Sequence, residues 1–241
     1  VQSKRGCVHR CVYCTYPLLE GRAVRPRPAG DVADDIERLV KDYHAGYIFF
    51  TDSIFNDDAG LFLDLLREMK SRRVSVPWTC FIRPGKILEE HVLLMKETGL
   101  KAVEIGSDAA SDAALRGMGK GFLFKDIIST NDVFVRNGIA TANFFMFGGP
   151  EETKESVMEG IGNIVALEKT VSFMYMGIRI LPGTPLEKIA LGEGVIRPGQ
   201  DLLESVYYFS PALDRQWLEK TMLDGFKDHR CCFFPADKFE S

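Results

Sequence analysis

The sequence contains no apolar run approaching the ~20 residues that cross a bilayer, so no membrane-spanning helix is expected. It has no low-complexity tract and no leader pattern. Histidine is scarce, at four residues, and His9 has no second histidine near it. The six cysteines do not form two separated C-x2-C pairs, which a closed zinc site would use. A disulfide framework is not needed by a chain of 241 residues that is 46% hydrophobic, and the chain is expected to work in the cytoplasm. An excess of positive charge is missing too. The formal charge of −4 argues against a general nucleic-acid binder, whose affinity rests on neutralising phosphates. The segment ending at Lys120 fails as a phosphate loop, because the first glycine of G-x4-G-K-[ST] is Ala114 and the residue after the lysine is Gly121.

What is present is concentrated near the start. Gly6-Cys7-Val8-His9-Arg10-Cys11-Val12-Tyr13-Cys14 places three cysteines in a C-x3-C-x2-C spacing. Three thiolates so close in sequence can hold three corners of a cubane [4Fe-4S] cluster and leave the fourth iron for a ligand that is not protein. Cys80 reads as a core residue, and the adjacent Cys231 and Cys232 as surface or packing residues. The first 27 residues hold Lys4, Arg5, Arg10, Arg22, Arg25 and Arg27 against Glu20 alone. This basic cluster is either a solvated surface or an attractor for an anionic substrate or an acidic electron donor.

Beyond the cysteine loop the chain repeats one rhythm. Asp31 reads as the N-cap of a helix with Val32, Ile36, Leu39, Val40 and Tyr43 on one face. Strands are expected over 47–51, 78–82, 102–106, 141–147 and 173–181, and the tail of a first strand over 1–4. Between them, helices are expected around 61–69, 91–98, 125–137 and 151–167, with Gly99 and Gly138 as stops. A closing helix over 214–226 should bury Trp217, Leu218, Met222 and Leu223. Strands alternating with helices imply an α/β fold with a parallel sheet, and six strands imply a partial (β/α)6 TIM-like barrel. Its chemistry should sit in the loops leaving the C-terminal ends of the strands. A core over 1–186 and a C-terminal helical extension over 187–241 packed on it are expected. So is a further N-terminal region, since the first strand is so short.

The cysteine spacing and the strand-end motifs resemble the radical S-adenosylmethionine (SAM) family, strand by strand from Ser3 to about Leu186. In that family the open iron binds the amino and carboxylate groups of SAM. The resemblance implies that Cys7, Cys11 and Cys14 hold the cluster and that Tyr13 lies near the adenine. Asp52, with Ser53 beside it, stands where the family often holds the methionine ammonium with Gly-Gly-Glu; Asn56 either shares that role or caps the next helix. Asp108 and Lys120, twelve positions apart in the fourth-strand signature, would contact the ribose or methionine end of SAM and its carboxylate. Asn143 would stand in for an acidic ribose ligand, and Arg179 on the sixth strand would face the site. Phe147-Gly148-Gly149-Pro150-Glu151-Glu152-Thr153 matches the fifth strand-to-helix turn.

The loop Cys14-Thr15-Tyr16-Pro17, the run Phe50-Thr51-Asp52-Ser53-Ile54-Phe55-Asn56 and the Gly-Gly-Pro turn look most like the branch with a cobalamin-binding domain before the radical domain. The implied activity is one-electron cleavage of SAM to a deoxyadenosyl radical. Methyl transfer with cobalamin, or lipid or cofactor biosynthesis, would follow. The implied partners are a small-molecule substrate, an electron donor such as a flavodoxin or ferredoxin, and a cobalamin-binding domain. Two other readings stay open: a cobalamin-independent rearrangement or carbon–carbon bond-forming enzyme, and a non-catalytic iron-sulfur electron-transfer protein.

Overall fold

Short β-rich runs alternating with amphipathic helices build a six-stranded, wholly parallel sheet in the computed structural model, which describes residues 1–74 and 76–236. Its strands lie side by side in the order Ile48–Phe50, Trp78–Ile82, Leu100–Asp108, Ala140–Phe147, Val171–Met176 and Cys232–Phe233. This is the expected partial barrel.

The N-terminal tail follows the outer edge of the Ile48–Phe50 strand. The Val1 amino group donates to the Phe49 carbonyl at 2.8 Å, and the Thr51 N–H returns a 2.8 Å bond to the Val1 carbonyl. Residues 4–5 then leave the sheet and pair antiparallel with Arg25–Pro26.

Two expectations about the far edge change. The strand expected over 173–181 ends at Met176, and Gly177 turns the chain so that Ile178–Arg179 pairs antiparallel with Tyr207–Tyr208. The strand expected over 1–4 is not part of the sheet, and the count of six is completed instead by Cys232–Phe233, in register with Ser172 and Phe173. Residues 187–236 therefore contribute strands as well as the helix Arg215–Phe226. Local pattern could not reveal this, because a two-residue strand is stabilised by the neighbour it pairs with and not by its own periodicity.

Strand side chains alternate between two environments. Residues 103, 105 and 107 of one central strand, and 141, 143, 145 and 147 of the next, are buried under the helices. Residues 102, 104, 106 and 108, and 142, 144 and 146, are half-exposed on the opposite, inner face. Under the helices Trp78 packs against Phe50 and Phe55 at 5.3 and 5.2 Å, and its indole N–H donates to the Thr98 carbonyl at 2.9 Å. Each such side chain contributes roughly 1.5–3 kcal/mol of burial, with its one polar atom satisfied.

Helix boundaries depart from expectation where a tertiary contact intervenes. The first long helix, Ala29–Tyr43, begins after Pro28, so Asp31 sits inside its first turn, where it complements the helix dipole. Val32 and Ile36 are buried, but Val40 and Tyr43 reach solvent. In Arg215–Phe226, capped by the Asp214 carboxylate, Leu218, Met222 and Phe226 face the core and Leu223 does not.

Candidate functional site

The cysteine loop is held by its backbone. Gly6 adopts φ +92°, and a Cβ there would stand 2.2 Å from the Ala23 carbonyl oxygen, so only glycine allows the chain to turn into the loop. The Cys7 N–H donates to the Gly21 carbonyl at 3.1 Å, and Glu20 accepts the Gly6 N–H at 3.0 Å. At the other end, the Val12 N–H donates to Met118 at 3.0 Å and the Val12 carbonyl accepts from Leu186 at 2.9 Å. The loop is thereby docked on the segment after Leu100–Asp108 and on the start of the helix Pro185–Gly192.

The three thiols are unpaired and open onto one cavity of about 260 Å³ at the C-terminal ends of the strands. Cys7, Cys11, Cys14, Tyr13, Ser53, Asp108 and Lys120 all line it. The sequence-level expectation for these seven residues and the shape of the molecule thus converge on one place. Among the described residues no three side chains of His, Cys, Asp or Glu converge on a point suited to a single metal ion. Three thiols set around a cavity, with no fourth, match the donor set of a cubane cluster.

Burial pushes the Cys11 thiol up from its ordinary range, and the nearby Lys120 ammonium opposes that shift. Burial also raises Cys14, against the Tyr16 backbone N–H, which favours the thiolate. Binding iron would displace both protons, since the thiolate is the ligand.

Beside the thiols stands a tight polar group. The Asp108 carboxylate is ion-paired with the Lys120 ammonium and accepts the Tyr13 hydroxyl at 2.6 Å; Lys120 lies 3.3 Å from that hydroxyl. Asp108 itself has φ +61°, at a place where the strand's register with Ala140–Phe147 shifts. Strain of this kind persists only where surrounding structure holds it, and it gathers at functional sites. Burial works hardest against the Lys120 ammonium, but Asp108 and then Cys11 outweigh it and raise its pKa. Burial, then Asp108, lift the Tyr13 phenol well above its usual value. The group is therefore a neutral phenol, an ammonium and a carboxylate, all within reach of one ligand.

Three expected residues lie elsewhere. Asp52 is fully buried. Its Oδ1 accepts from the Ser3 and Lys4 N–H groups at 2.7 and 3.0 Å, and its Oδ2 from the Ser3 hydroxyl at 2.6 Å. It ties the N-terminal tail to the second strand-end loop and does not reach the cavity. Asn143 is also fully buried, on the helix-facing side of its strand, bonded to Ser107, Asn131 and Thr170. Strand alternation turned it away: its neighbours Ala142 and Phe144 face the inner side. Arg179 is exposed on the strand that left the sheet, and donates to the Leu203 carbonyl at 3.4 Å.

Sequence reasoning missed Arg83 and His9, both on the cavity wall. Arg83 follows directly on the strand Trp78–Ile82, and that strand-end position is the signal that could have found it. Its guanidinium donates to the Lys120 carbonyl at 2.7 Å and lies 4.9 Å from the Phe122 ring centre. Asn56 neither caps a helix nor faces the cavity. It exchanges two 2.9 Å bonds with the backbone of Arg83, and Asp57 accepts the N–H groups of Leu61 and Phe62 at the next helix instead.

With this geometry in view, comparison with known proteins is informative. The family model of the Radical SAM superfamily matches residues 1–161. Tryptophan 2-C-methyltransferase of Streptomyces laurentii is 30% identical over 207 residues, covering 78% of this chain and 34% of that protein. An uncharacterized methyltransferase of Pyrococcus horikoshii is 27% identical, covering 81% of this chain and 42% of its own length. A solved structure of the radical SAM methyltransferase TsrM from Kitasatospora setae, with cobalamin and a [4Fe-4S] cluster bound, superposes with a TM-score of 0.84 at 24% identity. That match covers 98% of this chain and 54% of TsrM. The cobalamin-dependent SAM radical enzyme OxsB aligns with a TM-score of 0.72 at 15% identity, covering 94% of this chain and 41% of OxsB. The chain thus spans between a third and just over half of these proteins. The match of two-thirds of the chain to one family model covers the cysteine loop and the Asp108–Lys120 pair alike, and the chain belongs to the radical SAM superfamily.

Proposed function

We propose that this chain is the radical-generating core of a SAM-dependent methyltransferase. Cys7, Cys11 and Cys14 hold the cluster, and Tyr13, Ser53, Asp108 and Lys120 receive SAM. The observation that carries this is one cavity shared by three unpaired thiols and the Tyr13–Asp108–Lys120 group. When bound, the cluster supplies one electron to the sulfonium of SAM, which breaks a carbon–sulfur bond into methionine and a deoxyadenosyl radical. The chain's own residues bind and orient. Lys120, already held by Asp108, presents its ammonium to the SAM carboxylate, Asp108 accepts from a ribose hydroxyl, and the Tyr13 ring packs on the adenine.

Methyl transfer is supported by the names of the two methyltransferase relatives. Cobalamin as the methyl carrier, on a domain beyond this core, is supported by the cobalamin in the TsrM and OxsB structures. The substrate is a small molecule. The electron donor is an acidic protein of the flavodoxin or ferredoxin kind. Arg10, Arg22 and Lys188 support that choice, because they line a second opening that reaches Cys11 and Cys14 from outside. A cytoplasmic, oxygen-poor setting suits an open iron site.

The test is anaerobic reconstitution with iron and sulfide, reduction with dithionite, addition of SAM, and quantification of deoxyadenosine and methionine beside the EPR spectrum. Deoxyadenosine formation with a SAM-dependent spectral shift, both lost in Cys11→Ala, is the expected result. A cluster that forms and ignores SAM would overturn the reading in favour of an electron-transfer protein.

A further inference from the structure

The inner face of the sheet carries one carboxylate that the site described above does not use. Glu104 lies mid-strand in Leu100–Asp108, half-exposed, and has no hydrogen-bond or ion-pair partner among the described residues. Burial alone raises its carboxyl pKa. Leaving a partly desolvated carboxylate without a partner is unfavourable, and a bound cation or N–H donor would relieve that cost.

The surroundings of Glu104 are small on top and aromatic at the sides. On its own strand the neighbouring inner-face residues are Ala102 and Gly106, and across the strands it stands in register with Phe81 and Ala142. Gly106 has no side chain to cover Glu104, and a Cβ there would come only into ordinary contact, 3.8 Å from the Ile82 carbonyl oxygen and 3.9 Å from the Asp108 carboxylate. Toward one edge Phe81 meets Phe49 edge-on at 5.1 Å. Toward the other, and two residues further along the strands, Phe144, Phe173 and Phe233 stack across three strands at 5.3 and 5.4 Å with interplanar angles of 18° and 21°. The stacked rings turn their faces on one another, so the row presents ring edges to the inner side and the outer face of Phe144 toward the Glu104 strand, an apolar surface against which a flat ligand can pack edge-to-face.

This face is continuous with the cluster cavity, because Phe81, Gly106 and Asp108 line both. Glu104 precedes Asp108 by four residues, about 13 Å along an extended strand. A ligand anchored at Glu104 would therefore need roughly the length of a small two-ring molecule to reach the Asp108–Lys120 group.

We propose that Glu104 and the Phe144–Phe173–Phe233 wall form the substrate site, and that it selects a small molecule joining a flat apolar ring system to a protonated nitrogen, with the nitrogen on Glu104. This rests on the radical SAM reading of the adjoining cavity. The aromatic wall supplies area and Glu104 supplies orientation, since an isolated carboxylate in an otherwise apolar face admits one polar end of the ligand and rejects an anionic one.

The test is calorimetric titration of the anaerobically reconstituted protein, in the presence of SAM, with three indoles of similar shape: cationic tryptamine, neutral 3-ethylindole and anionic indole-3-propionate. The expected order is tryptamine tightest and indole-3-propionate weakest. Glu104→Gln should weaken tryptamine at least tenfold and leave 3-ethylindole within twofold. Phe173→Ala should weaken both tryptamine and 3-ethylindole. Ala142→Leu, which fills the space beside an intact Glu104, should weaken tryptamine as strongly as Glu104→Gln does. Iron content and thermal melting of each variant check that it is folded. Tryptamine binding that is unchanged in both Glu104→Gln and Ala142→Leu would overturn the proposal, as would indole-3-propionate binding as tightly as tryptamine. If the wild-type chain cleaves SAM but shows either result, this inference alone fails. If it takes up no cluster, the reading beneath it fails.

Discussion

Replacing Asp52 by alanine and by asparagine separates two roles for one carboxylate. Family resemblance puts Asp52 on the methionine ammonium of SAM, whereas the structure gives its oxygens to Ser3 and Lys4. Asp52→Ala removes three hydrogen bonds to a charged acceptor and strands three buried donors. At roughly 1.5 kcal/mol each, the low end for charged partners, the loss is about 4.5 kcal/mol. Asp52→Asn keeps the oxygen that receives both backbone N–H groups, and its new amide N–H can donate to the Ser3 hydroxyl, which reverses its role. Only the charge assistance is lost, a cost of about 1 kcal/mol. Urea unfolding followed by circular dichroism reads both values, and titration of the reconstituted protein with SAM reads the ligand. Asp52→Ala should be the less stable variant by about 3.5 kcal/mol and should incorporate less iron, because Ser3 and Lys4 lead directly into Gly6 and Cys7. Asp52→Asn should bind SAM within threefold of wild type. An Asp52→Asn protein as stable as wild type that binds SAM more than tenfold more weakly would refute this reasoning and return the carboxylate to the ligand.

Gly119→Ala tests how the cysteine loop is docked. Gly119 has φ +68°, and a Cβ there would stand 2.7 Å from the Arg10 carbonyl oxygen. The left-handed conformation costs an alanine about 1–2 kcal/mol, and the clash must also push back the loop between Cys7 and Cys11. Helical content should survive while iron incorporation falls by more than half; full iron loading would show that the loop is not seated on this glycine. Glu152 tests the fifth strand-to-helix turn. Its buried carboxylate accepts the Gly148 and Gly149 N–H groups, yet burial dominates and raises its pKa to about 7 from 4.5. The folded state therefore holds a proton that the unfolded state has lost. The resulting stability is fully present below pH 4.5 and disappears as pH rises to 7, about 3 kcal/mol in all. Glu152→Gln cannot lose that proton, so its stability relative to wild type should climb by about this amount across that window in urea titrations. A constant difference between the two would contradict the assignment.

The sequence alone determined the parts of this protein that depend on neighbours along the chain. Three cysteines within one span from Cys7 to Cys14 must share a loop, so the proposed cluster-binding set is legible in the order of residues. Helices and strands that alternate at a fixed spacing must form parallel βα units, and strand ends must gather on one side; Asp108, Lys120 and Ser53 were singled out by the resemblance of the strand-end motifs to the radical SAM family. Asn143 and Arg179, expected on the same ground, lie elsewhere, because a strand's facing is set by register and by where the strand leaves its sheet. A one-residue offset turns a side chain to the other face, and Gly177 carried Arg179 out of the sheet altogether. Asp52 failed for another reason: a carboxylate at a strand end takes whichever donors the fold brings nearest, and here those were Ser3 and Lys4, 48 residues and more away in sequence. The same holds for the sixth strand at Cys232–Phe233 and for Glu104 on the inner face, whereas Arg83, directly after a strand, was open to the strand-end rule and was overlooked. Local chemistry wrote the proposed ligands of the cluster into the sequence, and long-range pairing decided which other side chains face them.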